Sequence, residues 1–274
     1  MNSITKAGRF AALHIKGCPL VLYNAWDAAS AKAICDAEAP ALATSSWALA
    51  AAHGYADGEI IPMHLLEQIL ARIMATIDVP VTVDFEGGYS DDDGRLAANV
   101  SRLLDLGVIG INFEDRIVSG KGLYSVERQS RRIEAIRKMA HERGSPVFIN
   151  ARTDLFLAAG TGDDRSLLEA AKIRAAAYAQ AGASGFFVPG LRNDALIGEL
   201  CNASVLPVNV MVMEGLPSAP RLAELGVARI SYGPVPFIET IEKLKAAASR
   251  VYLQTSIAVN KHDFESRTLI ATPS

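Results

Sequence analysis

Short apolar stretches alternate along the chain with longer, alanine-rich amphipathic stretches. Eight of the apolar stretches have the length and the β-branched and aromatic content of strands; they span residues 19–27, 41–46, 79–86, 108–115, 146–154, 183–190, 206–212 and 227–234. Apolar residues three and four apart predict helices between them, as in LLEAAKIRAAAYAQAG, which ends at a glycine. Because parallel neighbours need a crossover, this alternation predicts a parallel sheet.

Eight strand–helix units in a chain of 274 residues predict a single (β/α)8 TIM barrel, an α/β fold. The alternative is an open doubly wound sheet, but no GxGxxG follows the first strand. No low-complexity linker or shift in composition marks a boundary. We therefore expect one barrel domain over residues 1–274, with an N-terminal helical extension at 1–18 and a C-terminal tail at 257–274.

Composition narrows the range of partners. Half of the residues are hydrophobic, and the net charge is −3 without a basic block, which argues against nucleic acid or an anionic membrane surface as a partner. The three cysteines are scattered and form no CxxC pair, as expected of a reducing, cytoplasmic setting. Charges interrupt the N-terminal residues before any signal-like stretch forms, and no apolar run reaches ~18 residues, the length of a membrane span.

Polar residues collect at the C-terminal ends of the predicted strands, which in a barrel form the catalytic face. They are Asn24, Asp27, Ser45, Ser46, Asp84, Glu86, Glu114, Asp115, Asn150, Arg152, Asp154 and Asn209. Charged groups buried there are costly without a counter-charge, so we expect them to meet a partner of opposite sign.

The stretch VTVDFEGGY combines a strand with two acids and two glycines. Asp84 and Glu86 are two residues apart, so strand alternation predicts that both point to one side, with Glu114 at the same level on the next strand. Three acids at one mouth, without a nearby His or Cys, favour Mg²⁺ or Mn²⁺. The competing interpretation is a solvated loop, or ion pairs with Arg116 or Arg152.

Three further segments carry candidate chemistry. Arg152, at the end of the fifth strand, suits a bidentate grip on a carboxylate; alternatively it is a structural partner of Asp154 or Glu114. The Ser45-Ser46-Trp47 turn can hold an anionic oxygen, or it can cap the next helix. Lys121 lies between two glycines, and this pattern favours a mobile segment that acts as a lid. The default interpretation is a solvated surface lysine.

Four motifs together resemble the isocitrate lyase and phosphoenolpyruvate mutase superfamily. VDFEGGY is similar to its D-x-D-x-G-Y/F-G motif, NFEDR to its I-E-D segment, and INARTD to its A-R-T-D segment. SSWALAAAHGYADGE resembles the serine-glycine turn and acidic loop of that superfamily. The resemblance runs from about residue 21 to 234 in the family order. It implies a (β/α)8 barrel whose last helix often swaps onto a neighbour, giving a homodimer or homotetramer.

The resemblance also implies a Mg²⁺ site. Asp84 would be the direct ligand, and Asp57, Glu86 and Glu114 would hold metal-bound waters. Asp57 can equally contribute to proton transfer. Glu86 stands where the family usually has an aspartate, so this ligand side chain is longer by one methylene group.

For the substrate, the resemblance implies a small 2-oxo acid whose carboxylate is held by Arg152, Ser45, Ser46 and Trp47. Tyr23 and Asn209 occupy positions expected to line the pocket, and Lys121 would lie on the gating loop. Members of the superfamily break or make a bond next to a 2-oxo acid through an enolate of pyruvate or a close relative.

Departures from the family pattern narrow the substrate. The gating segment SGKGLYS lacks the cysteine of the isocitrate and methylisocitrate lyases, and VPG at 188–190 replaces their glutamate. No asparagine, as in the phosphonomutases, lies between residues 116 and 125. We therefore expect a Mg²⁺-dependent lyase for an oxaloacetate-like 2-oxo acid, acting by C–C cleavage or decarboxylation. The alternatives are a phosphonopyruvate-type C–P mutase or hydrolase, and a barrel that binds without catalysis.

Overall fold

The computed structural model describes residues 3–117, 120–158 and 164–268. Within these residues one parallel sheet of nine strands forms. The strands are β1 (Leu20–Leu22), β2 (Asn24–Ala25), β3 (Leu42–Thr44), β4 (Val81–Asp84), β5 (Gly110–Glu114), β6 (Phe148–Arg152), β7 (Gly185–Phe187), β8 (Val208–Met211) and β9 (Arg229–Ser231). Each of the eight predicted strands is therefore present, and the first is divided in two.

The sheet closes through that divided strand. Its order is β1-β9-β8-β7-β6-β5-β4-β3-β2, so the two ends of the sheet are consecutive segments separated by Tyr23 alone. β1 pairs with β9, and β2 pairs with β3. The predicted TIM barrel is thus confirmed, and the C-terminal strand ends share one face.

Helices alternate with the strands along the chain. They are α1 (Ser3–Ala12), α2 (Ala28–Asp36), α3 (Ser46–Ala52), α4 (Met63–Thr76), α5 (Asp93–Asp105), α6 (Val126–Glu142), α7 (Leu155–Ala158), α8 (Asp164–Gln180), α9 (Asp194–Ala203), α10 (Ala219–Glu224) and α11 (Val235–Thr268). The main apolar core lies between strands and helices and includes Leu70, Val83, Ile111, Ile136 and Ile197.

A second apolar cluster contains residues of α1 and of the barrel strands. Phe10 of α1 packs with Leu22, Ile109 and Phe148, and the rings of Phe10 and Phe148 meet edge to face at 5.2 Å. His14 stacks on Phe148 at 4.3 Å, and its Nδ1 is 2.9 Å from the Phe10 carbonyl oxygen. The N-terminal extension is therefore anchored to the barrel.

His14 makes stability depend on pH. Burial, together with the positive charge of Arg229, lowers the pKa of His14 from 6.5 to about 3. Between these values the unfolded chain binds a proton that the native state does not, so stability falls as the pH drops from 7 to 5, by roughly 1 to 2 kcal/mol. We expect His14→Phe to remove this part of the pH dependence in urea unfolding. The exposed His141→Phe is the matched control; equal slopes in both variants would contradict the assignment.

The C-terminal region is a long helix. The chain divides into two compact units, one ending at Val235 and one beginning at Pro236. α11 continues to Thr268, so residues 257–268 of the predicted tail are helical; residues 269–274 lie outside the described residues. Between Phe237 and Thr268 no glycine or proline interrupts the helix. Among the described helices, none has the length and apolar character needed to cross a membrane.

Candidate active site

Asp84 is fixed at the C-terminal end of β4 by hydrogen bonds to both carboxylate oxygens. Ser46, at the start of α3, donates its hydroxyl (2.7 Å) and its backbone N–H (3.2 Å) to Oδ2. Asn112 of β5 directs its amide nitrogen at Oδ1, 3.4 Å away. The backbone N–H of Asp84 donates to the Thr44 hydroxyl at 3.1 Å. Neighbouring strand ends thus set the direction of this carboxylate.

Glu86 reaches the site by a different route from the predicted strand alternation. β4 ends at Asp84, and Glu86 has a φ of 49°, in the left-handed region. Its buried carboxylate accepts the backbone N–H of Glu59 at 3.0 Å. In return, Glu59 accepts the backbone N–H of Tyr89 at 2.6 Å.

This reciprocal pairing joins two loops that carry unusual backbone. Glu59 and Tyr89 have φ values of 63° and 61°, which non-glycine residues adopt at a cost, often at functional sites. Each loop is held by the other's carboxylate. Asp57, two residues before Glu59, is thereby attached to the loop that follows β4.

Arg132 of α6 supports the same loop from inside the protein. It is fully buried and donates to the carbonyl oxygens of Gly87 and Ser90, the latter at 3.0 Å. Its guanidinium lies 4.8 Å from the centre of the Phe113 ring and 4.4 Å from that of Tyr124. The Arg132 guanidinium on α6 thus fixes the backbone of the loop between β4 and α5.

Gly88 is a position where a side chain should not be accommodated. Its φ is 85°, and an added Cβ would lie 2.2 Å from Leu96 Cδ1 and 3.2 Å from Phe113 Cε2. Gly54 has a similar φ of 76° with open space around it, so Gly54→Ala isolates the backbone cost of about 1 kcal/mol. We expect Gly88→Ala to cost a further 1 to 3 kcal/mol, roughly, in urea unfolding, because of overpacking. Equal losses in the two variants would contradict the predicted clash.

Arg152 lies at the centre of the acidic groups. Its Nε and Nη2 form a two-pronged contact with Asp154, at 2.6 and 3.0 Å. Its Nη1 lies 3.0 Å from Glu114 Oε2 and 3.9 Å from Asp84 Oδ1. The alternative pairing of Arg152 with Asp154 and Glu114 is therefore present, and its grip on a substrate carboxylate stays a prediction. Nη1 is the guanidinium nitrogen that faces the remaining carboxylates.

Asp115 holds the turn that carries Asp154. It is completely buried and accepts the backbone N–H of Asp154 at 3.1 Å, the Arg174 guanidinium at 3.0 Å and the Tyr178 hydroxyl at 3.0 Å. Arg174 also donates to the Tyr124 carbonyl oxygen. Asp115 thus has a structural role, connecting the ends of β5 and β6 to α8.

Burial and mutual repulsion disfavour negative charge on several carboxyl groups of the site. Burial, reinforced by nearby carboxylates, raises the pKa of Glu86 from 4.5 to about 9. Burial also raises the pKa of Glu114 to about 8, although Arg152 opposes the shift. Loss of hydration and the facing Asp84 carboxylate raise the pKa of Asp57. Burial opposes the charge of Arg152, but Glu114, Asp154 and Asp84 hold the pKa of its guanidinium above the ordinary value.

A cavity of about 440 Å³ opens beside Arg152, within the usual range for small-molecule sites. It is lined by Asp57, Arg116, Lys121, Arg152, Asp154 and Leu157, among others. A smaller cavity of about 110 Å³ next to it contacts Glu59, Glu86 and Glu114 and shares Arg116. Three predicted catalytic residues, Asp57, Lys121 and Arg152, therefore meet at one cavity. Residues 118 and 119 of the predicted lid lie outside the described residues.

The other predicted substrate residues are distributed differently. Ser45 caps α3, accepting the Ala48 backbone N–H at 3.3 Å, so the capping alternative applies to Ser45 and not to Ser46. Tyr23 and Trp47 are each 40% exposed. Asn209 is buried in the barrel, with its amide nitrogen 3.2 Å from the Ser231 hydroxyl. Substrate contacts by these residues stay predictions.

The donor set fits Mg²⁺ in the way the resemblance implies. Within residues 3–117, 120–158 and 164–268, no three His, Cys, Asp or Glu side chains are grouped closely enough to hold a metal directly. Mg²⁺, however, is usually held by one or two carboxylates and keeps several waters. A single direct ligand, Asp84, with Asp57, Glu86 and Glu114 around it, offers such oxygen-only chemistry. The mutual repulsion of these carboxylates is the feature that favours a cation.

Four residues of the site were not singled out by the sequence. Asn112 was detectable in principle, because it is two residues before Glu114 on the same strand and so shares its face. Arg229, whose Nη2 donates to Asn112 Oδ1 at 3.2 Å, was detectable as a charge within the apolar stretch VARISYG. Glu59 in a loop and Arg132 on a helix carry no local signal, since their partners are distant in sequence.

The chain is similar to one family model and to several known proteins. The family model for phosphoenolpyruvate phosphomutase matches residues 10–252. An uncharacterised protein of Mycobacterium tuberculosis (strain H37Rv) is 36% identical over 225 residues, which cover 82% of this chain and 81% of that protein.

A solved structure from Burkholderia cenocepacia J2315, named as a candidate phosphonomutase, is 46% identical with a TM-score of 0.87 and covers 91% of this chain and 99% of that one. The 2-methylisocitrate lyase of Escherichia coli (strain K12) is 26% identical over 199 residues, 68% of this chain and 64% of the enzyme.

Proposed function

The chain belongs to the phosphoenolpyruvate phosphomutase family, within the isocitrate lyase and phosphoenolpyruvate mutase superfamily of lyases and mutases. From this premise and from its site we propose that it is a Mg²⁺-dependent lyase for a small, oxaloacetate-like 2-oxo acid. The observation that carries the proposal is Arg152, held by Asp154 with Nη1 facing Glu114 and Asp84 beside a cavity of about 440 Å³. Fixed positive charge opposite clustered carboxylates suits a reaction in which an oxyanion develops.

Some residues of the site would hold the metal and the substrate, and others would transfer protons. Asp84 would hold Mg²⁺ directly, with Asp57, Glu86 and Glu114 on its waters; when bound, the ion supplies electrophilic stabilisation of negative charge on the substrate oxygens. Arg152 orients the substrate carboxylate through Nη1. Ser46 keeps Asp84 in place through its hydroxyl. Ser45, Trp47, Tyr23 and Asn209 complete the proposed carboxylate pocket.

The proposed reaction breaks the bond between C3 of the 2-oxo acid and its leaving carbon. In oxaloacetate the leaving carbon departs as CO₂, the electron pair of that bond passes into the enolate of pyruvate, and a proton delivered to C3 then yields pyruvate. Asp57 and Lys121, which both line the cavity, are the groups placed to hold or deliver that proton. Pre-positioned charge costs no reorganisation as the enolate forms.

The first test is binding of oxalate, a mimic of the pyruvate enolate, measured by calorimetry with and without Mg²⁺. We expect binding that requires Mg²⁺ and is lost on adding EDTA. Pyruvate release from oxaloacetate is then followed with a protein-free Mg²⁺ control, because the free acid also decarboxylates in solution. No Mg²⁺-dependent oxalate binding would reject the proposal.

A C–P mutase or hydrolase acting on phosphonopyruvate is the second candidate. The named phosphonomutase relative at 46% identity favours it, and Arg116 and Lys121 at the cavity are cations suited to a phosphonate. Comparing phosphonopyruvate with oxaloacetate at equal concentrations separates the two reactions. Oxalate binding without turnover of either substrate would support the third alternative, a barrel that only binds.

We also propose a homodimer or homotetramer. Apolar side chains are exposed along α11, at Ile238, Ile241, Leu244, Val251, Tyr252 and Leu253, and exposed apolar surfaces of this kind often lie in protein–protein contacts. Light scattering on the purified full chain measures the state; a monomer at all concentrations would reject this part of the proposal.

A further inference from the structure

Arg229 is a charged side chain enclosed inside the barrel. It belongs to β9, has no exposed surface, and burial lowers the pKa of its guanidinium from 12.5 to about 9. Among the described residues, none places a carboxylate within ion-pair distance of it, and its Nη1 has no hydrogen-bond partner. A buried cation without an ion pair costs free energy, so its presence calls for another explanation than stability.

The contacts of Arg229 lead to the acidic site. Its Nε donates to the Ser231 hydroxyl at 3.1 Å, and its Nη2 donates to Asn112 Oδ1 at 3.2 Å. Asn150 donates to the same Asn112 oxygen at 2.9 Å. The nearby negative charge that acts on Arg229 is Asp84.

Two donors on one oxygen determine how the Asn112 amide is turned. Because Arg229 and Asn150 both donate to Oδ1, the Nδ2 group of Asn112 must point the other way, where it meets Asp84 Oδ1 at 3.4 Å. A reversed amide would set its NH₂ against two donors and its oxygen against a carboxylate. The orientation of Asn112 therefore depends on Arg229 together with Asn150.

We propose that Arg229 is a positioning residue of the active site, acting through Asn112 to fix the Asp84 carboxylate. Ser46 holds one oxygen of Asp84 and Asn112 the other, and Arg229 makes the second contact directional. Arg229 also places a positive charge inside the barrel, while Arg152 contacts the acidic groups at the strand ends. Supporting partners of this kind typically change affinity at a site by about 10- to 100-fold.

The first arm of the test uses the apo protein with ¹⁵N-labelled asparagine. The side-chain NH₂ signals of Asn112 are assigned by their loss in Asn112→Leu. We expect them to move in Arg229→Met and to move less in Arg229→Lys, which keeps the charge but cannot reach both Ser231 and Asn112. Unchanged Asn112 signals in Arg229→Met would overturn the inference. The exposed Arg221→Met is the matched control.

The second arm rests on the proposed function and measures oxalate affinity with Mg²⁺ by calorimetry. Arg229→Met and Asn112→Leu should each weaken binding by about tenfold or more. If Arg229 acts through Asn112, the double variant should be no more than about threefold weaker than the weaker single variant. Multiplying effects would show that the two residues act separately and would overturn the inference.

The two proposals fail in distinguishable ways. A wild-type protein that binds no oxalate removes the proposed function, and the Asn112 signals alone then decide whether Arg229 orients that amide. Melting temperatures are recorded for every variant. If Arg229→Met does not fold, Arg229→Lys takes its place in both arms, and wild-type behaviour of that variant in both would overturn the inference.

Discussion

Asp84→Asn is expected to lower kcat/KM for Mg²⁺-dependent pyruvate release by about 10²- to 10³-fold. Asparagine has the shape of aspartate and can still accept the Ser46 hydroxyl hydrogen bond, so the substitution removes the charge with little change in packing. The loss should appear both in turnover and in the Mg²⁺ concentration needed for half-maximal rate. Steady-state kinetics over a range of Mg²⁺ concentrations measure both.

Stability separates this effect from a folding defect. Asp84 is one of several clustered carboxylates, and its negative charge contributes to the raised pKa of Glu86. Neutralising it relieves repulsion among the carboxylates but sets an amide NH₂ against the Asn112 Nδ2 donor, so we expect the melting temperature of Asp84→Asn to change little. Asp194→Asn is the control, since Asp194 forms an exposed ion pair with Arg221 and exposed pairs contribute little. Full activity in Asp84→Asn would remove the proposed metal ligand.

Arg152→Lys is expected to reduce kcat/KM by about 10²-fold or more, because a single ammonium group cannot replace a guanidinium that contacts two carboxylates at once. Arg152 contacts Asp154 through Nε and Nη2 while Nη1 faces Glu114. A lysine can satisfy one of these carboxylates but not both at once. The measurement is kcat and KM for the preferred 2-oxo acid, together with oxalate affinity.

Removing the cation altogether should also destabilise the protein. Arg152→Ala leaves Glu114 and Asp154 buried without their partner, at a cost of roughly 3 to 5 kcal/mol. Arg152 lowers the pKa of Glu114 against the effect of burial, so its loss raises that pKa further. Burial already holds the pKa of Glu114 above its unfolded value, and the stability of such a group is lost as the pH rises through the folded value. The penalty should therefore grow from pH 6 to pH 9.

Urea unfolding of Arg152→Ala at those two pH values measures this penalty. The exposed Arg221→Ala is the matched control, with an expected cost of at most about 1 kcal/mol and little pH dependence. A penalty in Arg152→Ala that is equal at both pH values would show that Glu114 does not respond to the guanidinium.

Much of the fold could be predicted because its signals are local. Strand and helix patterns repeat within short windows, and a parallel barrel brings all C-terminal strand ends to one face. Asp84, Glu114 and Arg152 could therefore be placed together before their distances were known. The first strand was predicted whole but is divided at Tyr23, because its two halves pair with different neighbours.

Contacts between distant segments could not be predicted in the same way. Strand alternation predicts that Glu86 lies beside Asp84, but β4 ends two residues before Glu86, which adopts a left-handed conformation and accepts the Glu59 N–H. The sequence leaves open whether Arg152 pairs with Asp154 or with Glu114, and in the structure its two-pronged contact is with Asp154. Which carboxylate pairs with the Arg152 guanidinium depends on the distances between the side chains in the folded protein.

The amino-acid sequence by itself determined the strand–helix alternation and the face on which the polar residues gather, since these follow from periodicity and spacing along the chain; its motifs also resemble those of the family. Only the tertiary structure decided which acid pairs with Arg152, how Glu59 joins two loops, and that Arg229 donates to Asn112. The reason is physical: hydrogen bonds and charge interactions act over a few ångströms in space, whatever the separation of the residues in sequence.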